Sequence, residues 1–333
     1  MKIWPIDPLQ KHFDDDPGFA EALRNLGAGR LVAVPTETVY GLAADATNAD
    51  AVAGIFAAKE RPSFNPLISH VEDLDAAERH GVFDAAARTL AEAFWPGPLT
   101  LVVERRSTSP ICDLATAGLS TVGLRVPATR VTRALTAALG RPLAAPSANR
   151  SGRISTTTAE AVAADLGERI AGIVDCGPTP VGVESTIVAT VGPDPVLLRP
   201  GGIPRGAIEE LLGRPLAAPT DAADRPSAPG MLASHYAPDA KVRLDAEDVR
   251  PGEALLAFGP ELPPGADGAI AVANLSPAGD LTEAAKALFG LMRRLDASGA
   301  ATIAVMPIPD DGLGEAIRDR LSRAAAPRNM HRP

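Results

Sequence analysis

Between Asp16 and Gly29 the chain reads DPGFAEALRNLGAG, with an acidic N-cap, proline at the first helical position and glycine at the far end. That punctuation predicts a helix over 16–29. The apolar run Leu31–Val34 predicts a strand, and Val39–Ala44 predicts a second extended run beyond the polar PTET segment. In NADAVAGIFAAKE (48–60), Val52, Ile55, Phe56 and Lys59 fall on related faces of a helix. Further short apolar runs predict strands at 66–71, 99–104, 121–126, 143–146, 171–175, 185–191 and 195–199. Helical spacing recurs at 84–94, 128–139, 157–167 and 204–212. Short apolar strands interleaved with helices indicate an α/β domain with a sizeable sheet.

The pattern breaks after Leu212. From Gly213 to Pro238 (GRPLAAPTDAADRPSAPGMLASHYAP) the chain is rich in proline, alanine and small polar residues, with neither a helical nor a strand period. A stretch of this kind is a linker or a functional loop. Met231, His235 and Tyr236 in it have no use in a passive tether, and the many prolines give it a defined extended path. The expectation is therefore a lid over the first domain that excludes water from the site. Beyond it, ALLAF (254–258), AIAVANL (269–275) and TIAVMPI (302–308) read as buried strands, and 281–299 and 313–325 as amphipathic helices. The predicted organisation is a catalytic α/β domain over 1–212, a Pro-rich linker or lid over 213–238, and a small Rossmann-like α/β domain over 239–333.

Composition narrows the function classes. The length, 333 residues, suits two domains, and 46% hydrophobic with 22% charged residues is ordinary for a globular chain. No apolar run approaches a membrane span, and the opening MKIWPID lacks the apolar core of a signal peptide, so a cytoplasmic protein is expected. The net charge of −9 divides into −6 over residues 1–212 (19 basic, 25 acidic) and −3 over 213–333 (13 basic, 16 acidic). Neither part carries the basic excess of a nucleic-acid binder, and 4% aromatics makes base-stacking platforms scarce. An anionic ligand must be met by a local cluster of arginine and lysine. Cys112 and Cys176 cannot build a disulfide framework or a four-ligand zinc site, and read as small buried apolar residues.

The chain has no P-loop, no dinucleotide fingerprint, no G-x-S-x-G elbow and no H-E-x-x-H. Four polar segments stand out instead. PTETVYGL (35–42) concentrates hydrogen-bonding groups beside a permissive glycine, which suits a small polar ligand. KERPSFNPL (59–67) presents Lys59, Arg61, Ser63 and Asn65 along a proline-fixed course, a candidate anion clamp, while Lys59 and Arg61 at a helix end also suit the dipole. STVGLRVP (120–127) sets Arg125 in an apolar strand, where it requires a ligand carboxylate or an internal Asp or Glu. APSANRSG (145–152) opens an apolar strand into small hydrogen-bonding residues.

Taken together, and with FWPGPLTLVVE (94–104), GVESTIV (182–188), LLRPGGI (197–203) and SHYAP (234–238), these segments resemble the YrdC-like threonylcarbamoyl-AMP synthase family in its long, two-domain form. The resemblance implies a twisted, open α/β sheet with a concave site. It also implies conversion of L-threonine, bicarbonate and ATP to threonylcarbamoyl-AMP and pyrophosphate, the first step of threonylcarbamoyladenosine formation in tRNA. By similarity, Thr38, His70, Arg125, Ala145 and Ser185 would line the threonine pocket. Arg61, Asn65, Thr121, Ser147, Ser155, Arg199, His235 and Tyr236 would surround ATP or the adenylate, with Lys59, Arg61, Ser147 and Asn149 as a basic phosphate-handling set. Mg2+ would accompany ATP with few protein ligands, and the product would pass to a separate tRNA-modifying transferase. The chemistry needs positioned charge and no protein nucleophile. Two other classes fit the residues less well. An RNA-binding module conflicts with the acidic balance, and a carbamoyl-group transferase would use carbamoyl phosphate in place of bicarbonate and ATP.

Overall fold

The computed structural model describes residues 1–62, 64–219 and 235–327. Ser63 and Met231, singled out above, lie outside these, as does most of the expected lid (220–234). The first sheet contains β1 (Lys2–Pro5), β2 (Val32–Val34), β3 (Gly41–Asp45), β4 (Ile68–His70), β5 (Gly81–Val82) and β6 (Leu99–Arg105). It continues with β7 (Thr121–Arg125), β8 (Leu143–Ala144), β9 (Gly172–Asp175), β10 (Thr186–Ala189) and β11 (Val196–Arg199). Its order is β1-β9-β2-β3-β8-β4-β7-β6-β10-β11, with β5 beside β6. Around it lie α1 (Pro17–Gly27), α2 (Ala49–Lys59), α3 (Leu74–Glu78), α4 (Ala85–Phe94), α5 (Asp113–Thr116), α6 (Arg130–Leu139), α7 (Ala159–Leu166) and α8 (Arg205–Leu212).

Local chemistry explains the helix starts. Asp16 accepts from the Gly18 and Phe19 amides ahead of α1, and Asn48 accepts from Asp50 and Ala51 ahead of α2. Glu60, at φ 54°, ends α2 in the left-handed region and turns the chain toward Arg61. Four elements of the first domain were not foreseen, among them the five-residue α3. β1 holds a proline and a single buried residue, Trp4, and is a strand because it pairs with the distant β9. β5 is two residues long and α5 is four, too short to show a period. The stretch after Leu212 also departs from expectation, since Ala217 bridges Val196 at the sheet edge.

The C-terminal sheet comprises β12 (Lys241–Arg243), β13 (Glu253–Ala257), β14 (Val272–Asn274) and β15 (Thr302–Val305), all parallel in the order β12-β15-β13-β14. It is covered by α9 (Leu281–Asp296) and α10 (Gly314–Ala325). The inner face of α9 buries Ala284, Ala285, Leu288, Phe289, Met292 and Leu295, each large member worth ~1.5–3 kcal/mol of apolar transfer. Among the described residues no helix is long and apolar enough to cross a membrane.

The two sheets belong to one packed body. Val39, Ile154 and Val183 of the first domain share a core with Tyr236 and the inner face of α9. Gly182 (φ 84°) lies so close to α9 that a Cβ there would be 2.4 Å from the Ala285 carbonyl oxygen. Arg205 forks onto Glu315, and Arg293 reaches from α9 to Asp165 at 2.9 Å and to the Ile154 and Ser155 carbonyls.

Candidate active site

β4 and β7 run parallel with His70 in register with Arg125, so both side chains leave the sheet at the same end. β8 pairs beside β4, and the chain after it, Ala145-Pro146-Ser147, bridges back to Gly41. Gly41 permits this approach, since a Cβ there would be 3.1 Å from that of Ala145. Val181 and Gly182 donate their amides to the Glu37 and Thr38 carbonyls, which brings the GVEST segment against PTET. A cavity results at this end of the sheet. Its walls include Thr38, Arg61, His70, Arg125, Ala145, Ser147, Ser185, Arg199, His235 and Tyr236, all expected from the sequence.

The polar groups are buried and tightly arranged. In the PTET turn Thr36 Oγ1 donates to the Val39 carbonyl at 2.6 Å and lies 2.8 Å from Thr38 Oγ1. Arg125 finds the internal carboxylate that its burial demanded: Nη2 donates to Glu37 at 2.6 Å and Nε to the Gly97 carbonyl at 3.3 Å. The other Glu37 oxygen accepts the Ala128 amide at 2.9 Å. Arg199 forks onto the carbonyl and hydroxyl of Ser185, whose Oγ also lies 2.7 Å from Thr100 Oγ1. Arg61 reaches the Pro66 carbonyl at 3.3 Å, and its Nε has no partner among the described residues. Burial pulls the Arg61 guanidinium down to about 10. Burial, and then the nearby Arg125, pull His70 to about 3, so its ring is neutral at pH 7. His235 is likewise held well below its ordinary value by burial and by Arg61, Lys59, Arg199 and Arg320 around it.

His235 and Tyr236 close one side of the cavity. Their rings meet edge to face at 4.1 Å, and Tyr236 stacks on Phe289 of α9 at 5.6 Å. Tyr236 adopts φ 60°, and the next residue, Ala237, donates its amide to Gly152. This segment therefore bridges the two domains.

Five expected site residues do not line the cavity. Lys59 is the clearest correction to the anion-clamp reading: its Nζ donates to the Ser147 and Asn149 carbonyls, each at 2.5 Å, and its own carbonyl accepts the Ser151 amide. It holds the APSANRSG loop from behind, and burial and Arg61 keep its amine well below the ordinary lysine value. Asn149 ties the same loop by donating to the Arg150 and Arg153 carbonyls. Ser155 donates to Glu184 at 2.5 Å behind the wall. Asn65 is buried, and its Oδ1 has no partner among the described residues. Thr121 begins β7, about 13 Å from Arg125 at ~3.3 Å per residue. Thr121, Gly123 and Arg125 alternate onto one face, and the first two are half-exposed.

Sequence reasoning missed Glu37 as the partner of Arg125, Glu184 in the wall, and Arg320 of α10, whose Nε donates to Glu184 at 2.8 Å. A buried arginine implies an acid, but the acid's position depends on a contact between distant segments. The two cysteines are half-buried, not fully so, and burial pushes the Cys176 thiol up to about 12. Among the described residues no cluster of three His, Cys, Asp or Glu could hold a metal ion. Glu37 and Glu184 are both committed to arginines, so the cavity offers no spare carboxylate set to a cation.

Comparison with known proteins agrees with this architecture. The Sua5/YciO/YrdC family profile, described as telomere recombination, matches residues 24–201. A profile described as the C-terminal domain of threonylcarbamoyl-AMP synthase matches residues 203–326. The threonylcarbamoyl-AMP synthase of Bacillus subtilis is 40% identical, over 98% of each chain. That of Pyrococcus abyssi is 39% identical over 89% of this chain and 91% of its own. The crystal structure of P. abyssi Sua5 complexed with L-threonine superposes with a TM-score of 0.88 at 34% identity, covering 98% of both chains. On the matched profiles, the near-complete relatives and the shared fold, the chain belongs to the Sua5/YciO/YrdC family of threonylcarbamoyl-AMP synthases, in its two-domain form.

Proposed function

We propose that this chain makes L-threonylcarbamoyladenylate from L-threonine, bicarbonate and ATP, releasing pyrophosphate and water. The observation that carries the reading is the convergence of Arg61, Arg125 and Arg199 on one buried cavity in a chain of net charge −9. Three guanidiniums there call for anionic ligands. Arg125 commits Nη2 and Nε to protein, and its remaining edge is available to the threonine carboxylate. Thr38, His70, Ala145 and Ser185 complete that pocket. His70 is neutral, so it contributes polarity without repelling the amine, which must lose its proton to attack.

The threonine nitrogen bonds to the carbon of bicarbonate, water leaves, and an oxygen of the N-carboxylate then attacks the α-phosphorus as pyrophosphate departs. Nothing in this sequence needs a protein nucleophile, and the arginines supply positioning and charge stabilisation. Arg61, Ser147 and Arg199 face the phosphates, with Asn65 beside Arg61, while Lys59, Asn149 and Ser155 act by holding the wall. The half-exposed face carrying Thr121 and Gly123 extends from Arg125 and suits the nucleoside. Mg2+ enters with ATP as part of the substrate. His235 and Tyr236 keep water from the mixed anhydride, which hydrolyses readily. The organisation proposed is catalytic domain 1–212, lid-bearing linker 213–238 and supporting domain 239–333. A labile product of this kind must be consumed by a transferase acting on tRNA, in the cytoplasm. The test is pyrophosphate release with all three substrates and with each omitted in turn. Release that persists without threonine or bicarbonate overturns the proposal.

A further inference from the structure

Arg320 is the largest fully buried side chain among the described residues. It belongs to α10 of the C-terminal domain, yet most of its guanidinium serves the other domain. Nε donates to Glu184 Oε2 at 2.8 Å, Nη1 to the Pro200 carbonyl at 2.9 Å, and the Cζ lies 5.2 Å from the centre of the Tyr236 ring. Glu184 and Tyr236 both line the cavity. Arg320 also pairs with Asp319 at 2.6 Å, but Asp319 has a second cation in Arg323 at 2.9 Å, so it does not depend on Arg320. Glu184 depends on it more. One carboxylate oxygen takes the Ser155 hydroxyl and the other takes Arg320. Burial opposes the charge on Glu184, but Arg320, Arg199 and Ser155 together keep its carboxyl below the usual range.

We propose that Arg320 is a positioning residue supplied by the C-terminal domain, which ties down the Glu184 carboxylate so that it does not compete with the nucleotide phosphates for Arg199. This rests on the adenylate-forming reading above. Without Arg320 the carboxylate is a buried anion short of a cation, and Arg199, whose charge already acts on it, lines the same cavity. The C-terminal domain then acts on nucleotide affinity without touching the nucleotide.

The full-length chain tests this through its two Michaelis constants. Arg320→Met is expected to raise the KM for ATP at least tenfold and that for threonine less than threefold. The double variant R320M/E184Q removes the competing charge and is expected to bring the ATP KM back within threefold of the parent. Arg320→Lys, which keeps the charge, is expected to stay within threefold as well. A purely structural pair would lower the melting temperature and the active fraction while leaving both KM values in place. That outcome overturns the proposal, as does an equal rise in both constants or a double variant that shows no recovery. Should R320M fail to fold, Arg320→Gln, which keeps a donor without the charge, carries the same expectation. Calorimetric ATP binding separates this inference from the functional reading. A parent that binds ATP but releases no pyrophosphate overturns that reading, and the tenfold shift is then read from binding. A parent that binds no ATP overturns both.

Discussion

Replacing Lys59 with methionine keeps an unbranched stem in a buried slot and removes the nitrogen on which two carbonyls depend. Nζ donates to Ser147 and Asn149 at 2.5 Å each, and the residue is 1% exposed, so water cannot take its place. Leaving a buried carbonyl without its donor costs ~1–3 kcal/mol, so two cost ~2–6 kcal/mol. Relief from burying the amine offsets part of this, and a net loss of about 3 kcal/mol is expected. The sign of the pH dependence follows from the depressed amine. Below its folded-state value both folded and unfolded chains are protonated and the burial penalty is carried in full. As pH rises through that value toward ~10.4, where the unfolded lysine titrates, only the folded form has released its proton, and the parent gains stability. The loss in Lys59→Met should therefore be larger at pH 9 than at pH 7. Both tryptophans, Trp4 and Trp95, lie in the first domain, so urea unfolding followed by tryptophan fluorescence reports on it directly. A loss under about 1 kcal/mol with pyrophosphate release abolished would refute the argument, because the amine would then be serving the ligand and not the loop.

Arg125→Lys should raise the threonine KM more than tenfold and the ATP KM less than threefold, because a point charge cannot hold Glu37 and a ligand carboxylate together; steady-state kinetics that show equal rises contradict this. His70 titrates at about 3 when folded and near 6.5 unfolded, so between those values the unfolded chain binds the extra proton and stability falls as pH falls. Taking the parent from pH 7 to 5 should cost about 2 kcal/mol from this residue, and His70→Asn should show a correspondingly shallower loss in denaturant titrations. Gly182→Ala forces a Cβ to 2.4 Å from α9 at a positive φ, and should lower the melting temperature and speed proteolysis between the domains; unchanged melting would contradict the tight contact. The double substitution C112A/C176A should retain most pyrophosphate release, since the Cys176 thiol at about 12 supplies no thiolate at neutral pH.

Much of this protein could be read along the chain. The caps at Asp16 and Asn48, the apolar runs that became β6, β7 and β13, and the spacing of α9 are local properties: each depends on residues within a few positions of one another. The segments with unusual polar density were also visible, and ten of the residues that the family resemblance nominated meet at the cavity. What each polar group does there was decided by tertiary structure. Lys59 read as a free cation at a helix end, but α2 carries it beneath a loop 88 residues away, where carbonyls take its protons. Arg125 required an acid, and only the packing of PTET against β7 selects Glu37. Strand β1 and the pairing of Arg320 with Glu184, 136 residues apart, leave no local trace. Periodicity records which face of an element is buried. It carries no record of which distant donor meets which acceptor, because that follows from how the sheets, helices and two domains close on one another.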